Sequence, residues 1–149
     1  MAPVFLTLAE VIEIHRDQTE RYGGHRGIRD TGLLQSAVAV PQATMGGEYL
    51  HGDLFDMAGA YLFHIVKNHP FVDGNKRTGT VAALMFLELN GIEVTLNEDK
   101  LVGIIRSVAD GKMQKGDVAA FLRRHGEGTP GSRACPAGLR TSVVDLLYR

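Results

Sequence analysis

Apolar residues recur at intervals of three and four along this chain, and no long alternating run appears, so the pattern predicts helices joined by short loops. Leu8, Val11, Ile12 and His15 line one face of a first helix over residues 8–21. Thr7 and Glu10 have the T-x-x-E spacing in which two side chains reciprocally satisfy two orphan N–H groups, and Gly23-Gly24 ends the helix. Asp30 is the N-cap of a second helix carrying Leu33, Leu34, Ala37 and Val38, and Pro41 stops or bends it. Gly46, Gly47 and Gly52 mark a loop. Asp53 then caps a third helix that runs to Asn68 through Leu54, Met57, Leu62, Ile65 and Val66. Pro70 breaks it, because the residue before a proline is pushed out of the α region. A fourth helix runs from about Asn75 to Asn90, apolar on most faces, with Gly91 just past its end. Residues 92–96 form a short extended piece, and two more helices are expected over 98–109 and 117–125. The prediction is an all-α, compact single-domain bundle of about six helices around a central apolar helix.

Composition adds a boundary. From Gly126 to Gly138 the chain turns to Gly, Pro, Ser, Thr and Arg, so a domain over 1–125 is expected, followed by a tail over 126–149. Thr141 or Ser142 would cap a short helix at the end of that tail. Hydrophobic residues make up 44% and charged residues 22%, enough apolar material for a packed core. The net charge of -1 gives no field to draw the protein onto nucleic acid or an anionic membrane. The apolar stretch from Val81 to Leu87 is too short to span a bilayer. No basic region opens the chain, and Glu10 and Glu13 soon follow, so a cytoplasmic protein is expected. Cys135 is the one cysteine and cannot form an internal disulfide. The six histidines show no H-E-x-x-H spacing, so structural zinc is not expected. His15, His64 and His125 are read as partly buried or surface helix residues, Arg26 and Arg29 as solvated loop residues, and His51 as a loop residue that could border a site.

The chemistry concentrates in residues 69–79, His-Pro-Phe-Val-Asp-Gly-Asn-Lys-Arg-Thr-Gly. Gly74 and Asn75 open a helix whose first backbone N–H groups lack intrahelical partners. The helix dipole makes that end partly positive, and Gly74 lets a ligand approach the backbone. Lys76 and Arg77 place two cations in the first turn, where the dipole disfavours each by roughly 0.3–1 kcal/mol. A phosphate in front of the helix reverses that penalty. His69 offers an imidazole able to take a proton from a hydroxyl near neutral pH. Asp73 offers a hard oxygen ligand suited to Mg²⁺ beside phosphate oxygens. Phe71 is expected to plug into the core and anchor the loop. A base, a metal ligand, an anion cradle and two cations are the parts that phosphoryl or nucleotidyl transfer requires. The segment is not a P-loop, since no G-x-x-x-x-G-K-[ST] is present.

This segment resembles the signature of the Fic/Doc superfamily, H-P-F-x-x-G-N-x-R, at every fixed position. A chance match to the six fixed residues is rarer than about one in ten million per start position. The resemblance extends over Arg21–Gly24 and Gly27–Asp30, over the helix from Leu54 to Asn68, over Phe86–Gly91 and over Gly111–Arg124. It implies a Fic-fold helical bundle whose central helix follows the signature loop. Fic enzymes that transfer AMP carry glycine after the Asn and a second arginine shortly beyond the first. Here those positions hold Lys76 and Thr80, as in the Doc branch, where ATP binds in the reversed sense and presents its γ-phosphate. Asp73 also matches Doc, whereas Pro70 and Gly74 are the Fic-like choices, so AMP transfer stays as the alternative.

By resemblance the chain is a toxin of a toxin–antitoxin system, an ATP- and Mg²⁺-dependent kinase that phosphorylates a translation factor, elongation factor Tu, and so blocks translation. His69 is implied as the general base and Asp73 as the Mg²⁺ ligand. Gly74 and Asn75 shape the phosphate site, and Lys76 and Arg77 neutralise the phosphates. The implied partner is a Phd-type antitoxin whose flexible C-terminal region folds against the toxin. A catalytically silent module that only binds the antitoxin is the alternative of another class. An RNA-cleaving toxin would need a carboxylate cluster that this sequence lacks.

Overall fold

The computed structural model describes residues 2–95 and 98–128. Six α-helices run through them: α1 (Leu8–Tyr22), α2 (Thr31–Ala39), α3 (Leu54–Asn68), α4 (Asn75–Leu89), α5 (Glu98–Ala109) and α6 (Lys115–His125). A 3₁₀ turn over Val40–Gln42 absorbs Pro41 at the end of α2. The only strands among the described residues are two short antiparallel ribbons, β1 (Thr44–Met45) with β2 (Glu48–Tyr49), and β3 (Ile92–Val94) with β4 (Gly126–Gly128). The all-α expectation holds, with the helix positions close to those that the periodicity predicts.

The centre of the fold is α3 packed on α4, with α6 laid across α3 and α1 against α4. Two glycines set how closely these helices approach. A Cβ on Gly79 of α4 would lie 3.0 Å from Val66 Cγ2 and 3.3 Å from the Leu62 carbonyl of α3. A Cβ on Gly59 of α3 would lie 3.1 Å from the Ala119 nitrogen and 3.2 Å from the Lys115 carbonyl of α6. Tyr61, Leu62, Ile65, Phe86, Leu87, Phe121 and Leu122 fill the space between, each buried. Val4 and Asn90 exchange two hydrogen bonds, and the Leu6 N–H donates to the Tyr61 hydroxyl at 3.0 Å, which ties the N-terminal segment to the bundle.

Local chemistry explains most helix ends. Thr7 and Glu10 form the expected capping box, and Asp30 and Asp53 cap α2 and α3 by accepting from Leu33 and Asp56. Helix α6 begins two residues before the expected Asp117 because Asp117 acts from inside the first turn, its carboxylate accepting from the Gln114 N–H at 3.0 Å. Arg123 of α6 reaches back to Asp53 at 2.9 Å and Asp56 at 3.2 Å at the start of α3. The glycine loop contains the β1–β2 hairpin, whose Gly46 and Gly47 both have positive φ, at 60° and 84°. Such two-residue turns match the twist of the flanking strands. Residues 126–128, counted with the tail on composition, pair with β3, since backbone pairing requires no particular side chain. The remainder of that tail, with Cys135 and the terminal helix expected over 141–149, lies outside the described residues. No described helix is long and apolar enough to cross a membrane.

One half-buried group links this packing to pH. On α3, His64 accepts from Lys115 Nζ at 3.4 Å. Burial, with the charges of Lys115 and His51, pulls its imidazole down to about 4. An unfolded chain takes up that proton near pH 6.5, whereas the folded one does not until about pH 4. The contribution is therefore complete above pH 6.5 and is lost as the pH falls toward 4. With a discount for partial exposure the expected loss is about 2 kcal/mol over that window. Urea midpoints measured from pH 7 to pH 4.5 should fall less steeply for His64→Gln than for the unsubstituted chain. Parallel curves would rule the linkage out.

Candidate active site

Helix α3 stops at His69, which takes left-handed backbone angles, φ 53° and ψ 53°. It is the non-glycine residue with positive φ among the described residues. For an L-residue that conformation costs about 1–2 kcal/mol, so neighbours must hold it. The chain re-enters a helix at Gly74, also left-handed at φ 78°. Between the two, Phe71 is fully buried, as the sequence predicts. The loop is closed on itself by Asn75, whose Oδ1 accepts from the Phe71 N–H at 2.9 Å while its Nδ2 donates to the Phe71 carbonyl at 3.0 Å. Asn75 thus shapes the helix start with both polar atoms of its side chain engaged by Phe71.

Two other elements fasten this loop. From α1, the His15 ring stacks on Phe71 with centroids 3.9 Å apart and planes 6° from parallel, and its Nε2 donates to the Asp73 carbonyl at 2.8 Å. Burial pushes the His15 imidazole below its ordinary value, which favours the neutral ring, and the carbonyl partner requires the proton on Nε2. From the α1–α2 connection, Ile28 forms an antiparallel bridge with Phe71, and the Val72 N–H donates to the Gly27 carbonyl. The backbone N–H groups of Arg29 and Asp30 both donate to the Pro70 carbonyl. The Arg29 side chain donates from Nε to the His69 carbonyl at 2.6 Å and from Nη2 to the Asn68 carbonyl at 2.9 Å.

The charged groups at the mouth of α4 are held in the same way. Partial burial alone would raise the Asp73 carboxyl, but N–H donation from His25 and Gly74, with the Arg77 charge, brings it below the usual carboxylate range. Arg77 is only 5% exposed, and its Nη1 donates to the Gly23 carbonyl at 3.3 Å. Burial pulls the Arg77 guanidinium down from its ordinary value, against the opposing effect of Asp73 and Tyr22. A Cβ on Gly74 would stand 2.8 Å from Arg77 Nη2, so the guanidinium lies directly against the bare helix start. Lys76, by contrast, is exposed.

Helix α4 differs from α1, α2 and α3 in having no side-chain cap. The Thr78 N–H donates to the Gly74 carbonyl at 3.0 Å. The start of α4, the Arg77 guanidinium and Lys76 form a cationic end beside the single carboxylate of Asp73, which suits phosphate oxygens. Among the described residues no group of three or more His, Cys, Asp or Glu could hold a metal on its own. Asp73 is an ionised carboxylate beside this end. A divalent ion held by one such carboxylate, phosphate oxygens and water is the usual pattern for Mg²⁺.

The model of the Fic/DOC family matches residues 5–87, which run from the segment before α1 to the last turns of α4. The chain belongs to the Fic/DOC family. It is similar to the protein named Toxin Doc of Mycolicibacterium smegmatis, 40% identical over 103 residues, covering 68% of this chain and 79% of the relative. It is also similar to the Protein kinase doc of Escherichia phage P1, 35% identical over 115 residues, covering 77% of this chain and 90% of that one. It is a toxin of the Doc branch with kinase activity.

In this Fic/DOC domain the signature residues are legible in the sequence and most of their supports are not. The sequence suggests His15 as a partly buried or surface residue on the α1 face; the signal for more is that an imidazole on an apolar face requires a partner. Arg29 is an exposed loop residue, as the sequence suggests, but nothing in the local sequence signals that its side chain also binds two carbonyls at the end of α3. His51 does not join this cluster: its titratable neighbours are Lys115, Asp56 and His64, at the contact of α3 with α6.

Proposed function

We propose that this toxin transfers the γ-phosphoryl group of ATP to a side-chain hydroxyl of a translation factor, elongation factor Tu by resemblance, in the cytoplasm. The observation that carries the proposal is the uncapped start of α4, opened by Gly74 and backed by the buried Arg77. His69 takes the proton of the target hydroxyl as that oxygen attacks the γ-phosphorus. The bond from the γ-phosphorus to the bridging oxygen breaks, and ADP leaves. The N–H groups at the start of α4, with Arg77 and Lys76, balance the charge that spreads over the transferred phosphoryl oxygens. Asp73 would hold Mg²⁺, which when bound neutralises phosphate charge. Asn75, by closing the loop, keeps Gly74 and the first turn of α4 in one geometry. Lys76 fills the position where the AMP-transferring relatives of the family carry glycine, which favours presentation of the γ-phosphate. The test uses ATP labelled at either the α or the γ phosphate with purified elongation factor Tu. Label is expected in the factor from the γ position alone, and label from the α position would overturn the reading.

The proposed partner is a Phd-type antitoxin. A groove of about 490 Å³ between α1 and α4 has Ile14, Val81 and Met85 on its floor and Glu10, Glu13 and Asp17 on its rim. An apolar floor with a charged rim suits an amphipathic segment of the partner. Ala9 lines the same groove and is exposed. Ala9→Arg is expected to leave phosphoryl transfer intact and to lower the antitoxin's neutralising strength at least tenfold in titration. Unchanged neutralisation would place the antitoxin elsewhere.

A further inference from the structure

We propose that Arg29 is a positioning residue that sets the direction of the His69 imidazole. The inference deepens the phosphotransfer reading above and rests on it. The backbone angles of any residue are the rotations between the two peptide planes that flank it. For His69 those planes carry the carbonyls of Asn68 and of His69 itself, and one guanidinium binds both, at 2.9 Å and 2.6 Å. The Arg29 backbone N–H binds the next carbonyl, that of Pro70, at 2.7 Å. Three consecutive carbonyls around His69 are therefore held by one residue, and the angles they fix are the left-handed pair of 53° and 53°.

The need for this device follows from the residue at the turn. A helix that ends in a left-handed residue usually uses glycine, which takes that conformation at no steric cost. A glycine here would supply no base. With histidine in place, the left-handed turn requires external support, and the last carbonyls of α3 are the natural place to apply it. A planar fork of donors can bridge two carbonyls, whereas an ammonium is a single point charge on a flexible stem. Arg29 in turn is fixed by its own strand-like contact, since Ile28 bridges Phe71 and Asp30 caps α2. Arg29 stands forty residues before His69, so the support arrives only when the α1–α2 connection docks beside the signature loop.

The test measures transfer of the γ-phosphate of labelled ATP to protein in a cell lysate, which assumes no particular target. The full chain is compared with His69→Ala, Arg29→Ala and Arg29→Lys. For both Arg29 variants the maximal rate is expected to fall 10- to 100-fold with the KM for ATP within about twofold of the unsubstituted value, the size of effect that a small misplacement of a reacting group produces. Guanidinium ion at tens of millimolar should restore part of the rate of Arg29→Ala, a recovery that lost folding would not show. If Arg29→Ala does not fold, Arg29→Lys carries the comparison. Near-normal rates, or a raised KM for ATP at an unchanged maximal rate, would overturn the proposal and make Arg29 a bystander or a nucleotide contact. If the unsubstituted chain labels nothing, or His69→Ala labels as well as it does, the phosphotransfer reading fails and the assignment of Arg29 falls with it.

Discussion

His69→Ala is expected to lower the maximal rate of phosphoryl transfer by about 10²- to 10⁴-fold, the usual contribution of a positioned general base. His69 occupies the hinge between α3 and the loop that leads to α4, and its side chain is exposed. The substitution removes no packed core atoms, and alanine in a left-handed position costs about as much as histidine there, so stability should change little. Rate and stability are thus separable at this position. Antitoxin capture by His69→Ala should also persist, because the α1–α4 groove does not include residue 69. A variant that still arrests growth without its antitoxin would remove the imidazole from the mechanism and favour a chain that acts by binding alone.

Arg77→Ala is expected to cost about 10²- to 10³-fold in the same rate, the range for losing one preorganised charge at a transition state. It differs from the first prediction in its secondary effects. Arg77 is buried, donates to the Gly23 carbonyl and lies against Gly74, so its loss also loosens the contact between the α1–α2 connection and the start of α4. Its charge helps hold the Asp73 carboxyl below the usual range. Without it that carboxyl is protonated at higher pH, and the acid limb of the pH–rate profile should shift upward. Arg77→Lys should rescue little, because an ammonium cannot reproduce a guanidinium that faces both a carbonyl and a glycine backbone. A normal rate for Arg77→Ala, or an unmoved acid limb, would show that the Arg77 charge does not serve the site.

Both predictions stand on residues that were visible in the linear sequence, and the reason is local. Helix periodicity, the Thr7–Glu10 box, the Asp30 and Asp53 caps and the break at Pro70 all depend on residues within four or five positions of one another. The signature from His69 to Arg77 is equally compact, so its elements and its candidate chemistry could be named before any packing was known. Helix α6 starts two residues earlier than its sequence pattern suggests because a carboxylate can cap from within the first turn as well as from in front of it.

Short-range chemistry was therefore enough to read the set of helices, most of their ends, and the kind of reaction at one loop. How that loop is held depends on packing between distant segments. His15 meets Asp73 across 58 positions and Arg77 meets Gly23 across 54, contacts that exist only once α1 has packed on α4. A solvated arginine and one that pins three carbonyls look alike in sequence, as do an asparagine facing a ligand and one clamping its own loop. The physical reason is that propensity and capping act over a single turn, whereas the orientation of a polar side chain is set by whichever distant backbone the packed core brings within 3 Å of it.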